Sequence, residues 1–200
     1  MNDILNKIKT EQISFLSQFY PTSPLIFEIN CNHLKQEYLD ALDITYELNY
    51  LFDKLNEIVN PCVYIIEIIS EHNYEDISEA IKTFKKKKLK LTLPPINNNK
   101  YAKSSKTLYV GKRLGGKNKR ISFVSGRMIH HLGFYTRVIN NKRELVTTTS
   151  SLQLFHWSAG LNLSLKLSII EFPKELSLML SVFENEISKV KHPILGQHRS

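Results

Sequence analysis

The sequence predicts an α+β domain, and three observations carry that reading. Three runs have strand character: PCVYIIEIIS at 61–70, SKTLYVGK at 105–112 and LNLSLKLSI at 161–169. Stretches of helical periodicity lie before, between and after them. The third run alternates strictly, with Leu161, Leu163, Leu165, Leu167 and Ile169 set against Asn162, Ser164, Lys166 and Ser168. That is the pattern of a half-exposed strand, not of a strand buried on both faces of a parallel sheet.

Taken in chain order, residues 2–19 place Ile4, Ile8, Phe15 and Phe19 at helical spacing, and PTSP at 21–24 ends that helix. LIFEI follows as a short extended piece. From Asn32 to Ile58, an acidic stretch keeps Leu34, Tyr38, Ala41, Leu42, Thr45, Leu48, Phe52, Leu55 and Ile58 on one helical stripe, and Pro61 closes it. Residues 1–60 therefore read as an N-terminal helical region and 61–200 as the sheet-bearing core. Within that core, 70–105 reads as an insertion: a helix at EDISEAIKTF, four lysines, then a loop rich in proline and asparagine. FVSGRMIHHLG at 123–133 reads as a short helix stopped by Gly133. TTSSLQLFHWSAG at 148–160 reads as another. Pro173 opens a last helix over 174–191, with Leu176, Met179, Leu180, Phe183, Ile187 and Val190 as its buried face.

The composition limits the classes of function. Two hundred residues, 42% of them hydrophobic, suffice for one main domain with a full core. No stretch approaches the ~20 apolar residues of a membrane span, and the N-terminus lacks the apolar run of a signal peptide. The expectation is a cytoplasmic protein with no membrane partner. Cys31 and Cys62 have no companions at metal-ligand spacing and read as core thiols in a reducing compartment.

Charge is distributed very unevenly. Residues 1–80 hold 4 Lys/Arg and 14 Asp/Glu, residues 81–143 hold 18 and 0, and residues 144–200 hold 5 and 5. A basic third without one carboxylate, interleaved with Tyr101, Tyr109, Phe123, Phe134 and Tyr135, is what a polyanion-binding face requires, because each cation at a phosphate releases counterions. Lys85, Lys86, Lys87, Lys88, Arg113, Lys117, Lys119 and Arg120 are the candidate nucleic-acid contacts.

Residues 111–117 also spell G-x-x-x-x-G-K, the pattern of a phosphate-cradling nucleotide loop. Asn118 stands where a Ser or Thr hydroxyl would hold magnesium, and NKRISFVSG lacks the helical period that such a loop feeds into. Both features weigh against a P-loop nucleotide-binding protein.

A different constellation runs through the same residues. A strand bears Cys62-Val63-Tyr64 and a second bears Tyr109-Val110-Gly111; a helix then carries Arg127 and, one turn on, His131; a last helix carries Glu184. This order resembles the GIY-YIG nuclease family, over residues of about 61–197. The resemblance implies a small antiparallel three-stranded sheet flanked by helices, and a metal-dependent endonuclease that hydrolyses phosphodiester bonds in DNA, most readily double-stranded. It matches Tyr64 and Tyr109 to the family tyrosines, Lys112 to a basic position after the second motif, Arg127 to the family arginine and His131 to a His or Tyr position. Glu184 matches the metal-binding glutamate, because Pro193 follows it by nine residues as in the family pattern. Glu186 is the competing carboxylate.

On that resemblance, Glu184 holds Mg²⁺ or Mn²⁺ and Arg127 clamps the scissile phosphate. Tyr64 or Tyr109 activates water, with Lys112 or His131 assisting. The sequence departs from the family at Cys62, where a glycine is usual, in the 45 residues that separate the two tyrosines, and at Gly196, where an asparagine is usual. The alternative is the same fold as a catalytically weakened nucleic-acid-binding module. Two cuts in a duplex would require a homodimer or sequential attack.

Overall fold

Val63, Tyr64, Ile65 and Ile66 give the first strand of the core no polar face, and that strand is accordingly central. In a computed structural model, which describes residues 24–34, 46–86, 93–115, 123–133, 136–139, 142–145, 151–158 and 160–196, β2 (Cys62–Ile68) lies between β3 (Thr107–Arg113) and β6 (Ser164–Glu171) and runs antiparallel to both. β1 (Leu25–Asn30) pairs antiparallel with the outer side of β6, so the sheet order is β1-β6-β2-β3. The molecule is thus α+β with a four-stranded antiparallel sheet, one strand more than the resemblance implies. The extra strand is LIFEI: Ile29 is buried in the main core and Phe27 packs on it, while Ile26 on the opposite face is 57% exposed.

The helices divide between the two faces. α1 (Tyr46–Glu57), α2 (Tyr74–Lys86), α4 (Val124–Leu132) and α5 (Leu154–Trp157) join the larger core, into which β2 sends Cys62, Tyr64, Ile66 and Ile68. The opposite face is smaller: Val63, Ile65, Val110, Ile170 and Phe172 meet Leu180, Phe183 and Ile187 of α6 (Leu180–Lys191). Glu67 ties the layers together, accepting from Lys166 on β6 at 2.8 Å and from Lys191 on α6 at 2.9 Å. α2 and the four-residue α3 (Lys100–Lys103) leave the sheet between β2 and β3. Asn73 and Asp76 cap α2 reciprocally, each side chain accepting the other's backbone N–H. A separate hairpin pairs β4 (Thr136–Ile139) with β5 (Lys142–Leu145).

Several local expectations need correction. The helix expected over 148–160 is, among the described residues, confined to Leu154–Trp157. The last helix begins as a 3₁₀ segment, Lys174–Met179, and turns α-helical only at Leu180; Met179 and Val190 are 37% and 76% exposed. β6 is half-exposed only over its first residues. Flanked by β1 and β2, it buries Leu167, Ser168, Ile169 and Ile170 in succession. The helix expected over 2–19 lies outside the described residues, as does most of the first half of the acidic stretch, where Cys31–His33 form a 3₁₀ turn. Among the described residues no helix is long and apolar enough to cross a membrane.

Candidate active site

Cross-strand register brings the two tyrosines together. Tyr64 pairs with Gly111 and Ile66 with Tyr109, so both rings lie on the same face of β2 and β3, with centroids 6.3 Å apart. Gly111 makes this possible. A Cβ at that position would stand 2.4 Å from the Tyr64 hydroxyl oxygen and 2.8 Å from Tyr109 Cε1. The first glycine of the apparent nucleotide loop therefore lies within a strand ladder, under two aromatic rings. Gly115, at φ +70°, presses on the backbone of Val59 and Asn60.

α4 supplies the next two groups. Val124, Met128 and Leu132 anchor it in the core, and Gly133 at φ +92° ends it by donating to the Ile129 and His130 carbonyls. That orientation buries His131 fully beside Tyr64, with Nε2 2.9 Å from the hydroxyl oxygen. The backbone N–H of Leu152 donates to His131 Nδ1 at 3.1 Å. Burial, then the charges of Arg127, His130 and Arg113, hold the imidazole well below its usual pKa. The ring is therefore neutral, its proton is on Nε2, and Nε2–H donates to Tyr64. Arg127 Nε–H donates to the same oxygen at 3.4 Å. With two donors arriving, the Tyr64 proton must point elsewhere.

Electrostatics on this side is dominated by cations. Burial works against the Arg127 charge, but the hydroxyls of Tyr64 and Tyr109, both placed to accept from it, leave its pKa raised. Burial pushes the Tyr64 hydroxyl up, with Tyr109 adding and Arg127 opposing. Burial lowers both Arg113 and His130, and Arg127 repels each of them. Arg113, expected as a nucleic-acid contact, is thus in the neighbourhood of Arg127 and Tyr64. Arg113 and Arg127 are two like charges beside one buried hydroxyl, and the local field is positive.

Glu184 and Lys112 occupy the other face. Lys112 Nζ donates to Glu184 Oε2 at 2.7 Å and to Ser181 Oγ at 2.8 Å. They line a pocket of about 660 Å³ together with Tyr109, Pro94, Pro95, Asn185, Ser188, Pro193, Leu195 and Gly196. Glu186, the competing carboxylate, is turned to the surface and pairs with Lys189 at 2.8 Å. Because β3 is the sheet edge, Tyr109 belongs to both groups: it lines the pocket, and its ring centroid is 5.1 Å from that of His131.

Sequence reasoning missed part of this pocket. Ser181, Glu184, Asn185 and Ser188 form an i, i+3, i+4, i+7 polar stripe beside the buried Leu180, Phe183 and Ile187, a spacing visible in the sequence. No local signal points to Pro94 and Pro95. They are brought in by long-range pairing: Gly196 N–H donates to the Pro95 carbonyl at 2.9 Å, Asn97 N–H to the Ile194 carbonyl at 2.8 Å, and Ile96 bridges Leu195. Lys85 and Lys86 are exposed in the last turn of α2. Lys87, Lys88, Lys117, Lys119 and Arg120 lie outside the described residues.

One carboxylate at the pocket wall could hold one hard cation. Glu184 is 28% exposed there, and Asn185 and Ser188 line the same pocket with amide and hydroxyl oxygens, the hard donors that Mg²⁺ prefers together with water. Among the described residues no group of three or more His, Cys, Asp and Glu gathers as a denser metal cage.

Compared with family models, curated proteins and solved structures, the chain matches none.

Proposed function

We propose that this protein is a metal-dependent endonuclease of the GIY-YIG type that hydrolyses phosphodiester bonds in DNA. The observation that carries the reading is the shared position of Tyr109, which meets the Tyr64–His131–Arg127 group on one side and the Glu184–Lys112 pocket on the other. Five residue types that phosphodiester cleavage can use thus adjoin the β2–β3 pair.

Each residue has a role its surroundings support. Arg127, held by two tyrosine hydroxyls and retaining its charge, clamps the scissile phosphate with its planar fork. Neutral His131 fixes Tyr64 and, with Arg127, directs the Tyr64 proton away from both of its donors. Tyr64 is 1% exposed, so it orients; Tyr109 reaches the pocket and is the tyrosine that meets an attacking water there. Glu184, with Asn185 and Ser188 lining the same pocket, would hold Mg²⁺ or Mn²⁺. Such an ion supplies positive charge to the phosphate oxygens as negative charge develops. Lys85, Lys86 and Arg113 extend the contact along the phosphate backbone, and the basic third as a whole makes binding fall with salt at a log-log slope of about −0.9 per phosphate neutralised.

One observation favours the weaker reading, a binding module without turnover. Gly196 occupies the place of the family asparagine at φ +128°, where a Cβ would lie 3.7 Å from Tyr109, so the supporting side chain is missing and the backbone there is strained for any replacement. Plasmid cleavage separates the two. Nicking by wild type with Mg²⁺ or Mn²⁺, lost with chelator and with Glu184→Ala, establishes the nuclease; a gel shift by both proteins without cleavage leaves the binding module.

A further inference from the structure

Among the described residues that line the 660 Å³ pocket, Glu184 is the only carboxylate and Lys112 the only ammonium, and they are paired. Lys112 sits on the edge strand and reaches across to α6, where Nζ also holds Ser181. Both side chains are about 30% exposed, at 31% for Lys112 and 28% for Glu184, so the pair is partly shielded and still in contact with solvent. An ammonium has three donors. Two are engaged by Ser181 and Glu184, so the group is anchored at the place where a dication would need the same carboxylate.

We propose that Lys112 is the resident cation of this pocket: it neutralises Glu184 until a divalent ion binds, and binding of that ion releases it. The proposal rests on the reading of Glu184 as the metal carboxylate. One negative charge does not balance an ammonium and a dication together, and among the described residues no second carboxylate lines the wall to take either. The released ammonium remains tethered to β3 beside Tyr109, within the same pocket, where a substrate phosphate is the anion able to accept it. Metal, Lys112 and phosphate are therefore exchange partners. A polyanion that draws Lys112 away raises metal affinity, and by linkage the metal raises affinity for the polyanion by the same factor. Lys112 is on this account a positioning residue whose mutation changes binding in a direction opposite to that of a ligand.

The test is direct Mn²⁺ binding, followed by loss of the free-ion electron paramagnetic resonance signal on titrating the intact protein. Glu184→Gln should abolish the site. Lys112→Met should bind Mn²⁺ about tenfold more tightly than wild type, within the usual range of coupling between two bound species. Ser181→Ala keeps both charges and removes only the anchor; it should tighten binding about two- to threefold by the same linkage, and it covers the case in which Lys112→Met does not fold. Equal or weaker binding by Lys112→Met and Ser181→Ala, with Glu184→Gln still inactive for Mn²⁺, overturns the resident-cation role and leaves the metal site standing. Absence of Mn²⁺ binding in wild type and both tightening variants removes the metal reading and this inference together.

Discussion

The two faces of the sheet solve opposite problems with neighbouring residues of one hairpin. On the α4 side, Tyr64 and His131 are buried, every polar atom of the pair is committed, and the tautomer of the imidazole is set by a backbone N–H. On the α6 side, Lys112 and Glu184 are partly solvated, line an open pocket and hold each other by one charge-assisted hydrogen bond. The difference teaches where rigidity is placed. The buried side is organised before any ligand arrives, and the open side keeps the group that must exchange partners.

The largest effect should come from breaking the join between the faces. Gly111→Val would drive a side chain into the Tyr64 hydroxyl and the Tyr109 ring, with a cost of about 3 kcal/mol in denaturant unfolding. A stability within error of wild type would mean that the tyrosines do not converge over this glycine. Next, Glu184→Ala should lower metal-dependent cleavage roughly 100-fold, about 2.7 kcal/mol of activation free energy, while changing unfolding stability by less than about 0.5 kcal/mol. The opposite profile belongs to His131→Phe: loss of the acceptor for the Leu152 N–H should cost about 2 kcal/mol of stability.

A pH titration sharpens the same contrast. His131 has a lowered pKa in the fold, so the unfolded chain binds its proton first as pH drops below the ordinary histidine value of 6.5. Its contribution is present above that pH and is lost below it, at up to about 1.4 kcal/mol per pH unit while the folded ring stays neutral. His130 and His156, lowered by burial, act in the same direction. Urea midpoints measured from pH 7 to 5.5 should fall for wild type and fall less for His131→Phe; parallel curves would place the ring in water. The smallest effect is expected of Glu186→Ala, which breaks only an exposed pair with Lys189 and should leave stability within about 0.5 kcal/mol and cleavage intact.

How much of this was legible in the sequence follows from the range of the forces involved. Strand and helix types came from periodicity, so β2, β3, β6, α2 and α4 were anticipated close to their observed bounds, Gly133 as the stop of α4 included. Residue types and order were enough to nominate Tyr64, Tyr109, Lys112, Arg127, His131 and Glu184; the structure sets Tyr64, Tyr109, Arg127 and His131 on one face of the β2–β3 pair and Lys112 and Glu184 on the other. Their division between two faces was not foreseen, although the alternation Tyr109, Gly111, Arg113 against Val110, Lys112 encodes it. Pairing partners are another matter. Nothing local in LIFEI distinguishes a stray extended segment from an edge strand on β6, and nothing near Pro94 points to residue 195. Such contacts are decided by which surfaces remain uncovered after the helices have packed.

The clasp between residues 95–97 and 194–196 has a consequence for how the protein is made. The wall of the pocket needs chain segments about a hundred positions apart, and the later one includes Pro193 to Gly196. A ribosome that has delivered β2, β3 and α4 has already delivered the tyrosines, the arginine and the buried histidine, but not the enclosure around Glu184. The pocket is therefore closed only after residues 193–196 have been made, and a nascent chain truncated before residue 193 carries Tyr64, Tyr109, Arg127, His131 and Glu184 without that wall.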